Sequence, residues 1–374
     1  MQVIFETGPI GSAALFSQPV NMILARQPSE VDAAFDRMDA ALNKGYWIAG
    51  YLTYELGYAI EPKLLRSMPM DRRQPLLSLG VYECPKEKPT FEDSEVWFGN
   101  FTPEWSAADY HQAFEQVHRY ISAGDIYQAN LTFPMHAEIH GTSEAIFSKL
   151  KQAKRENYRT LVLQETGPDI ISCSPELFFN LDRNGMIETC PMKGTHPRSS
   201  DPIKDEELKS FLADDPKNRA ENLMIVDLLR NDLSRICRPG SVKVPHLFEI
   251  ESYSTVHQMT SRIEGQIQTG KNLSDIFRAL FPCGSITGAP KIRAMEILNT
   301  LEPSARDVYC GSIGWASPDG RAEFNVAIRT LLLENNFGQL NVGGGVVYDS
   351  TAESEYEEAL WKARFVQRSP VIAA

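Results

Sequence analysis

The sequence predicts an α+β fold that contains large antiparallel sheets. Runs of β-branched and aromatic residues that are typical of strands accumulate along the chain. Helical patterns fall between them irregularly, without the strict alternation of strand and helix that is typical of a parallel sheet. The chain has 374 residues, of which 43% are hydrophobic, so it can bury a sizeable core as one large domain or two.

The clearest change in composition lies at residues 83–93, which are rich in Pro, Lys and Glu. A segment of this kind can join two lobes of a protein. We therefore expect an N-terminal lobe over residues 1–95 that contributes to the same fold as a larger domain over residues 100–374.

Two helices and one strand are predicted ahead of the main group of strands. Residues 30–42 carry apolar side chains at helical spacing, and so do residues 109–122. Residues 46–54 are aromatic and β-branched enough for a strand. The other predicted strands lie at residues 131–139, 160–164, 176–181, 185–190, 308–315, 324–333 and 339–347.

The net charge of −12 argues against a nucleic-acid or anionic-membrane partner. No apolar run approaches the roughly 18 residues that a membrane helix needs, and residues 1–24 lack a basic leader. We therefore expect a cytoplasmic protein with no membrane partner. The six cysteines are scattered without a Cys-x-x-Cys pair, so reduced thiols are expected. An acidic protein that binds an anionic substrate must concentrate its cations, or a metal, locally.

The segment PMKGT at residues 191–195 places Lys193 in a glycine turn directly after a predicted strand. Strand ends that lead into turns often carry reactive groups, although most lysines beside glycine are solvated turn residues. Glu176 opens a strand that can pair with residues 185–190 through the turn at residues 182–185. This hairpin would bring Glu176 near Lys193, unless Glu176 is only a cap or an edge carboxylate.

A second carboxylate, Glu221, lies on a predicted helix that begins near residue 214 with an acidic cap and a proline in its first turn. Glu221 shares a face with Ile225 and Leu228, so it points toward the side that should be buried. A buried carboxylate needs a partner or a metal. The arginines that could instead form a salt bridge with it are Arg219, Arg230 and Arg235.

Two further patterns lie near the C-terminus. Glu355, Glu358 and Lys362 fall at positions i, i+3 and i+7 of a predicted helix, which alone would be a solvated face with an ordinary Glu358–Lys362 pair. The three glycines at residues 343–345 lie between extended runs. Their backbone amides could approach a ligand closely, or they could form a tight turn or a bulge.

Four segments occur in an informative order and spacing: PMKGT at 191–195, ENLMIVD at 221–227, GSITGAPK at 284–291, and GGG at 343–345 followed by SEYEE at 354–358. In that order they resemble the chorismate-utilising enzymes, which include the anthranilate, aminodeoxychorismate, isochorismate and salicylate synthases. The resemblance implies two stacked antiparallel sheets flanked by helices. It also implies that residues 100–374 are the chorismate-binding catalytic domain.

The resemblance implies that Glu221 and Glu358 hold a magnesium ion, with Glu355 close by. Oxygen-only ligands suit magnesium. Some relatives have an acidic residue where this chain has Asn218. The residues expected to contact the substrate are Arg329, Tyr309, Gly343, Gly344, Gly345, Thr287, His257, Lys362 and Thr195.

The resemblance also implies the chemistry. Glu176 would act as a general acid with a pKa raised to about 6–7, and would protonate the departing C4 hydroxyl of chorismate. Lys193 would attack C2 as a nucleophile, or act as a base, and so direct ammonia to C4. Relatives that add ammonia or water directly at C2 usually have alanine at that position. The expected product is 4-amino-4-deoxychorismate, a precursor of 4-aminobenzoate and folate.

No cysteine lies in a Gly-x-Cys-x-Gly motif, so the sequence predicts that a separate glutamine amidotransferase subunit supplies the ammonia. Two alternatives on the same scaffold are an anthranilate synthase and an isochorismate-type synthase, from which Lys193 would distinguish the chain. An alternative of another class is a non-catalytic, anion-binding regulatory protein.

Overall fold

The computed structural model describes residues 1–92, 94–150, 158–253 and 256–367. The described strands are β1 (Gln2–Phe5), β2 (Ala14–Phe16), β3 (Asn21–Ala25), β4 (Trp47–Leu52), β5 (Leu77–Tyr82), β6 (Lys86–Glu87), β7 (Trp97–Phe98), β8 (Thr102–Pro103), β9 (Gln128–His140), β10 (Tyr158–Leu163), β11 (Asp169–Ser174), β12 (Leu177–Leu181), β13 (Met186–Cys190), β14 (Met192–Pro197), β15 (Lys243–Ser252), β16 (Val256–Gln266), β17 (Gly288–Ala289), β18 (Ser312–Ala316), β19 (Ala322–Asn325), β20 (Thr330–Glu334) and β21 (Phe337–Val346). The described α-helices are α1 (Val31–Asn43), α2 (Leu56–Ile60), α3 (Ala107–Ser122), α4 (Ser143–Lys149), α5 (Pro202–Asp214), α6 (Pro216–Ser234), α7 (Leu273–Leu280), α8 (Lys291–Leu301), α9 (Ala352–Lys362) and α10 (Arg364–Gln367).

These strands form two large antiparallel sheets, so the predicted fold class is confirmed. The first sheet has the order β17-β9-β21-β20-β11-β10-β1-β2-β6, and β7 and β8 also pair with β9. The second has the order β14-β16-β13-β12-β19-β18-β4-β5-β3, and β15 also pairs with β16. The first 95 residues supply strands to both sheets, because β1, β2 and β6 join the first and β3, β4 and β5 join the second.

A buried apolar cluster packs one sheet on the other. Val3 and Val162 of the first sheet share it with Tyr51 and Ile313 of the second. Helices cover the outer faces: α1, α6 and α7 pack on the second sheet, and α3, α8 and α9 pack on the first. The stacking therefore follows from apolar side chains on both faces of the central strands, which a strand pattern alone does not reveal.

The two predicted N-terminal helices are confirmed as α1 and α3. Helix α3 begins at Ala107, two residues before the predicted start, because Ser106 caps it, with Asp109 completing a reciprocal capping box. The predicted strand at residues 324–333 is wrong as a single strand. The chain leaves the second sheet after β19 and enters the first at β20, and Arg329 between them has a φ of 49°. The residues at this crossover are buried like a strand core, so apolar periodicity cannot locate the break.

The part of the chain that the structure describes contains no helix long and apolar enough to cross a membrane. All six cysteines are free thiols, as expected.

Candidate active site

A cavity of about 590 Å³ lies where β14 of the second sheet faces β21 of the first, with α6 and α9 beside it. Its walls bring together most of the residues that the sequence singled out. Those in its lining are Glu176, Lys193, Thr195, Glu221, Tyr309, Arg329, Gly343, Gly345, Glu355, Glu358 and Lys362. A hollow of about 710 Å³ beside α5 and α6 contains none of them.

Two of the residues expected to contact the substrate do not line the cavity. The buried Thr287 hydroxyl donates to the main-chain oxygens of Cys283 and Gly284 and so stabilises its own turn. His257 is 1% exposed, and its Nε2 lies 3.0 Å from Oδ1 of Asp205.

The side-chain alternation of β16 explains the position of His257. Its neighbours Val256 and Gln258 line the cavity, and successive residues of a strand point to opposite faces. The structure thus gives Thr287 and His257 structural contacts, and their predicted contacts with the substrate stay predictions. Gly344 is also absent from the lining, although a Cβ at that position would lie 2.9 Å from Oε2 of Glu355.

A β-bulge in β14 holds Lys193. Met192 pairs with Thr260 and Thr195 pairs with Gln258, so β14 carries one residue more than β16 between these pairs. Gly194 supplies the left-handed backbone that the bulge needs, with a φ of 83°. A bulge re-aims the side chains at its position, and here Lys193 enters the cavity instead of continuing the ladder.

The hairpin that positions Glu176 is the predicted one. Strand β12 pairs with β13, and Gly185 in the turn has a φ of 77°. The Glu176 side chain is buried, and its Oε1 accepts a 2.6 Å hydrogen bond from Oγ of Ser285. Burial raises the pKa of Glu176 to about 7, while the Ser285 hydrogen bond and the charge of Lys193 oppose the rise. This agrees with the raised pKa that a general acid requires.

Three carboxylates approach the cavity from two helices. Glu221 of α6 has no hydrogen bond or ion pair within the described residues, and burial raises its pKa against the charges of Lys193 and Lys217. Glu355 of α9 accepts a 2.7 Å hydrogen bond from Oγ of Ser350, and burial raises its pKa too. Glu358 forms a 2.8 Å ion pair with Lys362, which lowers the pKa of Glu358.

None of the three arginines near Glu221 pairs with it. Arg219 lies over the ring of Phe248, Arg230 pairs with Asp227, and Arg235 donates to a main-chain oxygen. The salt-bridge alternative for Glu221 is therefore wrong, and this half-buried carboxylate faces the cavity with no partner among the residues that the structure describes.

The three carboxylates fit a magnesium ion only if other ligands complete its coordination shell. Within the described ranges, no three His, Cys, Asp or Glu side chains form a ready metal cluster. The unpartnered Glu221 and the nearby Glu355 and Glu358 nevertheless offer oxygen ligands from both sides of one cavity. Magnesium usually takes one or two carboxylates and completes its shell with water and substrate oxygens.

The glycines at residues 343–345 lie inside β21 and pair in regular register with β9, so they form neither a tight turn nor a bulge. A Cβ at Gly345 would lie 3.2 Å from Nζ of Lys193, which shows that the lysine amine reaches the glycine strand. Lys362 donates to the main-chain oxygen of Gly343 across 2.9 Å. Arg329 and Tyr309 line the same cavity, so cations and main-chain groups are available for an anionic ligand.

The sequence analysis missed three residues of the site. Lys217 lines the cavity one turn before Glu221 on α6, and the i, i+4 spacing could have indicated it. Ser285 holds the Glu176 carboxyl. Gln128 is fully buried beside Gly345, and neither polar atom of its amide has a hydrogen-bond partner within the described residues. Ser285 lies in the GSITGAPK segment, but no local signal pairs it with Glu176, which is distant in sequence. No local pattern marks Gln128.

Comparison with known proteins gives consistent results. Residues 4–368 match the family described as chorismate binding enzyme. The chain is 35% identical over 364 residues to aminodeoxychorismate synthase component 1 of Klebsiella aerogenes, in a match that covers 94% of this chain and 75% of that protein. It is 46% identical over 266 residues to the Escherichia coli K12 protein of the same name, and that match covers 71% of this chain and 57% of the relative. The crystal structure of anthranilate synthase component I from Streptococcus pneumoniae TIGR4 superposes with a TM-score of 0.82 at 26% identity, covering 94% of this chain and 91% of that one.

Proposed function

Because the chain belongs to the family of chorismate binding enzymes, we propose that it converts chorismate and ammonia to 4-amino-4-deoxychorismate and water. The observation that carries this proposal is Lys193 in the cavity lining, with its amine next to Gly345 and its charge acting on the Glu176 carboxyl. The names of the relatives from Klebsiella aerogenes and Escherichia coli support the same product. The product would serve the synthesis of 4-aminobenzoate and folate.

Chorismate carries two carboxylates, and the cavity offers a different set of groups for each. The guanidinium of Arg329 and the hydroxyl of Tyr309 would hold the enolpyruvyl carboxylate, because a guanidinium can donate two hydrogen bonds to it. Glu221 and Glu358, with Glu355 close by, would hold a magnesium ion. When bound, the ion supplies positive charge for the ring carboxylate.

Glu176 is suited to protonate the leaving hydroxyl. Hydroxide is a poor leaving group, so the C4 oxygen must depart as water. With a pKa of about 7, the Glu176 carboxyl still carries its proton in about half of the molecules at neutral pH. The Ser285 hydroxyl fixes the carboxyl in place through its 2.6 Å hydrogen bond.

Lys193 determines where nitrogen is added. Its neutral amine forms a bond to C2, the two ring double bonds shift from C1=C2 and C5=C6 to C1=C6 and C4=C5, and the C4–O bond breaks as Glu176 delivers a proton to the oxygen. Ammonia then forms a bond to C4, both double bonds shift back, and the C2–N bond breaks with its electron pair on nitrogen, which releases neutral Lys193. The enolpyruvyl group stays on the ring throughout, so no pyruvate is formed.

The ammonia would come from a separate glutamine amidotransferase subunit. Glutamine hydrolysis requires a cysteine thiolate in an activated setting. Burial instead raises the pKa of Cys190 and of Cys283 to about 12, so both thiols keep their protons. The words "component 1" in the names of the relatives agree with a second subunit.

Product identification tests the proposal. The chain is incubated with chorismate, magnesium chloride and ammonium chloride, and the products are separated and identified by mass. We expect 4-amino-4-deoxychorismate. Anthranilate or isochorismate as the main product would assign the chain to another branch of the family. Chorismate that stays unconsumed under all conditions would support the non-catalytic alternative.

A further inference from the structure

The side chain of Gln128 is buried beside the active-site cavity without a hydrogen-bond partner. It is 0% exposed, and neither Nε2 nor Oε1 of its amide has a partner among the residues that the structure describes. An amide can both donate and accept hydrogen bonds, and a buried amide that forms none destabilises the fold. The presence of glutamine here therefore needs a reason other than the stability of the free protein.

The register of the first sheet directs Gln128 toward the active site. Residues 128 and 130 of β9 point to the same face, and Asn130 lines the cavity. Asn130 pairs with Gly345 of β21, so this face of β9 continues the face that carries the glycines. Ala129 points the other way, into the apolar cluster under α3, α8 and α9. Gln128 thus faces the active site, although it is not part of the cavity lining.

The amine of Lys193 lies close to the same point of the glycine strand. Nε2 of Gln128 lies 2.8 Å, and Nζ of Lys193 3.2 Å, from the position that a Cβ would take at Gly345. Within the described ranges, Nζ also forms no hydrogen bond or ion pair. Two polar groups without hydrogen-bond partners are thus neighbours at the place where Gly345 has no side chain.

We infer that Gln128 is a positioning residue for the Lys193 amine, which it holds while the amine attacks the substrate. This inference rests on the proposed function, since it concerns the nucleophile of that reaction. A half-turn of the amide exchanges the places of Oε1 and Nε2. The exchange breaks no hydrogen bond, because neither atom has a partner in the described part of the chain. Oε1 then accepts an N–H of the amine, which the flexible stem of lysine can bring to it.

A hydrogen bond of this kind would aim the nucleophile. A neutral amine attacks carbon through its lone pair, so the direction of the lone pair decides where it reacts. An N–H held by Gln128 turns the lone pair away from the buried side and toward the open cavity. The amide oxygen suits this role because, unlike a carboxylate, it carries no charge that would favour the ammonium form.

The free protein keeps the charged amine occupied elsewhere. The charge of Lys193 opposes the rise that burial causes in the pKa of Glu176 and of Glu221. It also adds to the fall in the pKa of Glu358 that Lys362 causes. When the amine becomes neutral this attraction ends, and a neutral acceptor such as Gln128 can hold it. The amide therefore has no partner until the reaction begins.

The test replaces the amide by an apolar side chain of similar shape, in the Gln128→Met variant of the whole chain. Adduct formation on Lys193 is timed by intact mass after mixing with chorismate and magnesium chloride, without ammonia. We expect the rate to fall about tenfold to a hundredfold. Chorismate affinity, read from the fluorescence of Trp361 in the cavity wall, should stay at the parent value. The melting temperature should rise by about 2–4 °C, because a buried group without a partner has been removed.

A second variant and a control make the result specific. Gln128→Asn keeps an amide on a shorter side chain, so it should lose the rate without the gain in melting temperature. Gln268→Met is the matched control, because Nε2 of Gln268 donates to the main-chain oxygen of Cys237 at 2.8 Å, outside the cavity. It should lower the melting temperature and keep the parent rate of adduct formation.

The outcomes separate this inference from the proposed function. A parent rate of adduct formation in Gln128→Met would overturn the inference alone. A slower rate together with a lower melting temperature, or failure of both Gln128 variants to fold, would also overturn it, because the amide would then be a structural group. A parent chain that forms no adduct would refute the proposed role of Lys193, and this inference with it.

Discussion

Nζ of Lys193 lies 3.2 Å from the position that a Cβ would take at Gly345. The two residues belong to different sheets, β14 and β21, and the absence of a side chain on Gly345 gives the amine its place. A Cβ there would also lie 2.8 Å from the buried Gln128 amide. The space next to Gly345 is thus already occupied by the Lys193 amine and the Gln128 amide.

We expect Gly345→Ala to lower kcat by about tenfold to a hundredfold, because a displacement of about 1 Å at the reacting groups can have that effect. The measurement is steady-state kinetics with chorismate and ammonium. Gly338→Ala is the control on the same strand: its Cβ would lie 2.4 Å from the Ile139 side chain, away from the cavity. It should lower the melting temperature without the same loss of kcat. An active Gly345→Ala variant would show that Lys193 does not need its present position.

Lys193→Ala should abolish both the covalent adduct and the 4-amino product. Intact mass of the parent chain, after incubation with chorismate and magnesium but without ammonia, should show one added ring that lacks one water. In the variant, any remaining turnover should shift to addition at C2, because the position is no longer blocked. Production of 4-amino-4-deoxychorismate at the parent rate by this variant would rule out Lys193 as the nucleophile.

The rate should fall as the pH rises above about 7, because Glu176 must carry a proton to act as the acid and its pKa is about 7. The Ser285 hydrogen bond stabilises the charged form and lowers this pKa. Ser285→Ala should therefore move the alkaline limb of the pH–rate profile to higher pH. If the alkaline limb stays in place in Ser285→Ala, or persists in Glu176→Gln, the limb reports the titration of another group.

The same raised pKa has a consequence for stability. The folded protein holds the Glu176 proton more tightly than the unfolded chain, whose value is near 4.5. The resulting contribution to the free energy of unfolding is fully present below pH ~4.5 and is lost as the pH rises through about 7. Glu176→Gln lacks this contribution, so its melting temperature should fall less between pH 5 and pH 8 than that of the parent chain.

Glu221→Gln and Glu358→Gln should each weaken magnesium binding by about tenfold or more, since each removes one charged oxygen ligand. Trp361 lines the same cavity, so its fluorescence can report titration with magnesium chloride independently of turnover. Glu357→Gln is the matched control: it lies on the same helix but is exposed and outside the cavity. Parent-like magnesium affinity in both ligand variants would remove the metal assignment.

His257→Asn should destabilise the fold without changing the KM for chorismate. The histidine bridges Asp205 and Ser252 in a buried position, and loss of such bonds costs about 1–3 kcal/mol. Thermal unfolding and chorismate kinetics are measured side by side. A large rise in the KM for chorismate with an unchanged melting temperature would instead favour the substrate contact that the sequence predicted.

Much of the site could be predicted because the chemistry lies in short segments with local signals. Lys193 follows a strand, and Glu221 occupies an apolar helical face, so each stands out from its neighbours. Their proximity could not be predicted from the residues alone, because it depends on the stacking of two sheets. The resemblance supplied that stacking.

Two predicted site residues lie outside the cavity lining for reasons that depend on tertiary structure. His257 lies one position from two cavity residues on β16, and a shift of one residue along a strand reverses the direction of a side chain. Thr287 is buried in a short turn whose carbonyls compete for its hydroxyl. The register and the turn geometry that decide these two positions are tertiary properties.

The order in which the strands are synthesised differs from the order in which they pair. Strand β4 pairs with β18 on one side, and β1 pairs with β10. These early strands of both sheets therefore stay unpaired on that side until the later strands have left the ribosome. Until then each presents an unpaired edge to other chains. Folding of this protein therefore finishes only after most of the polypeptide has been made, and until then the unpaired edges of the nascent chain are exposed to aggregation.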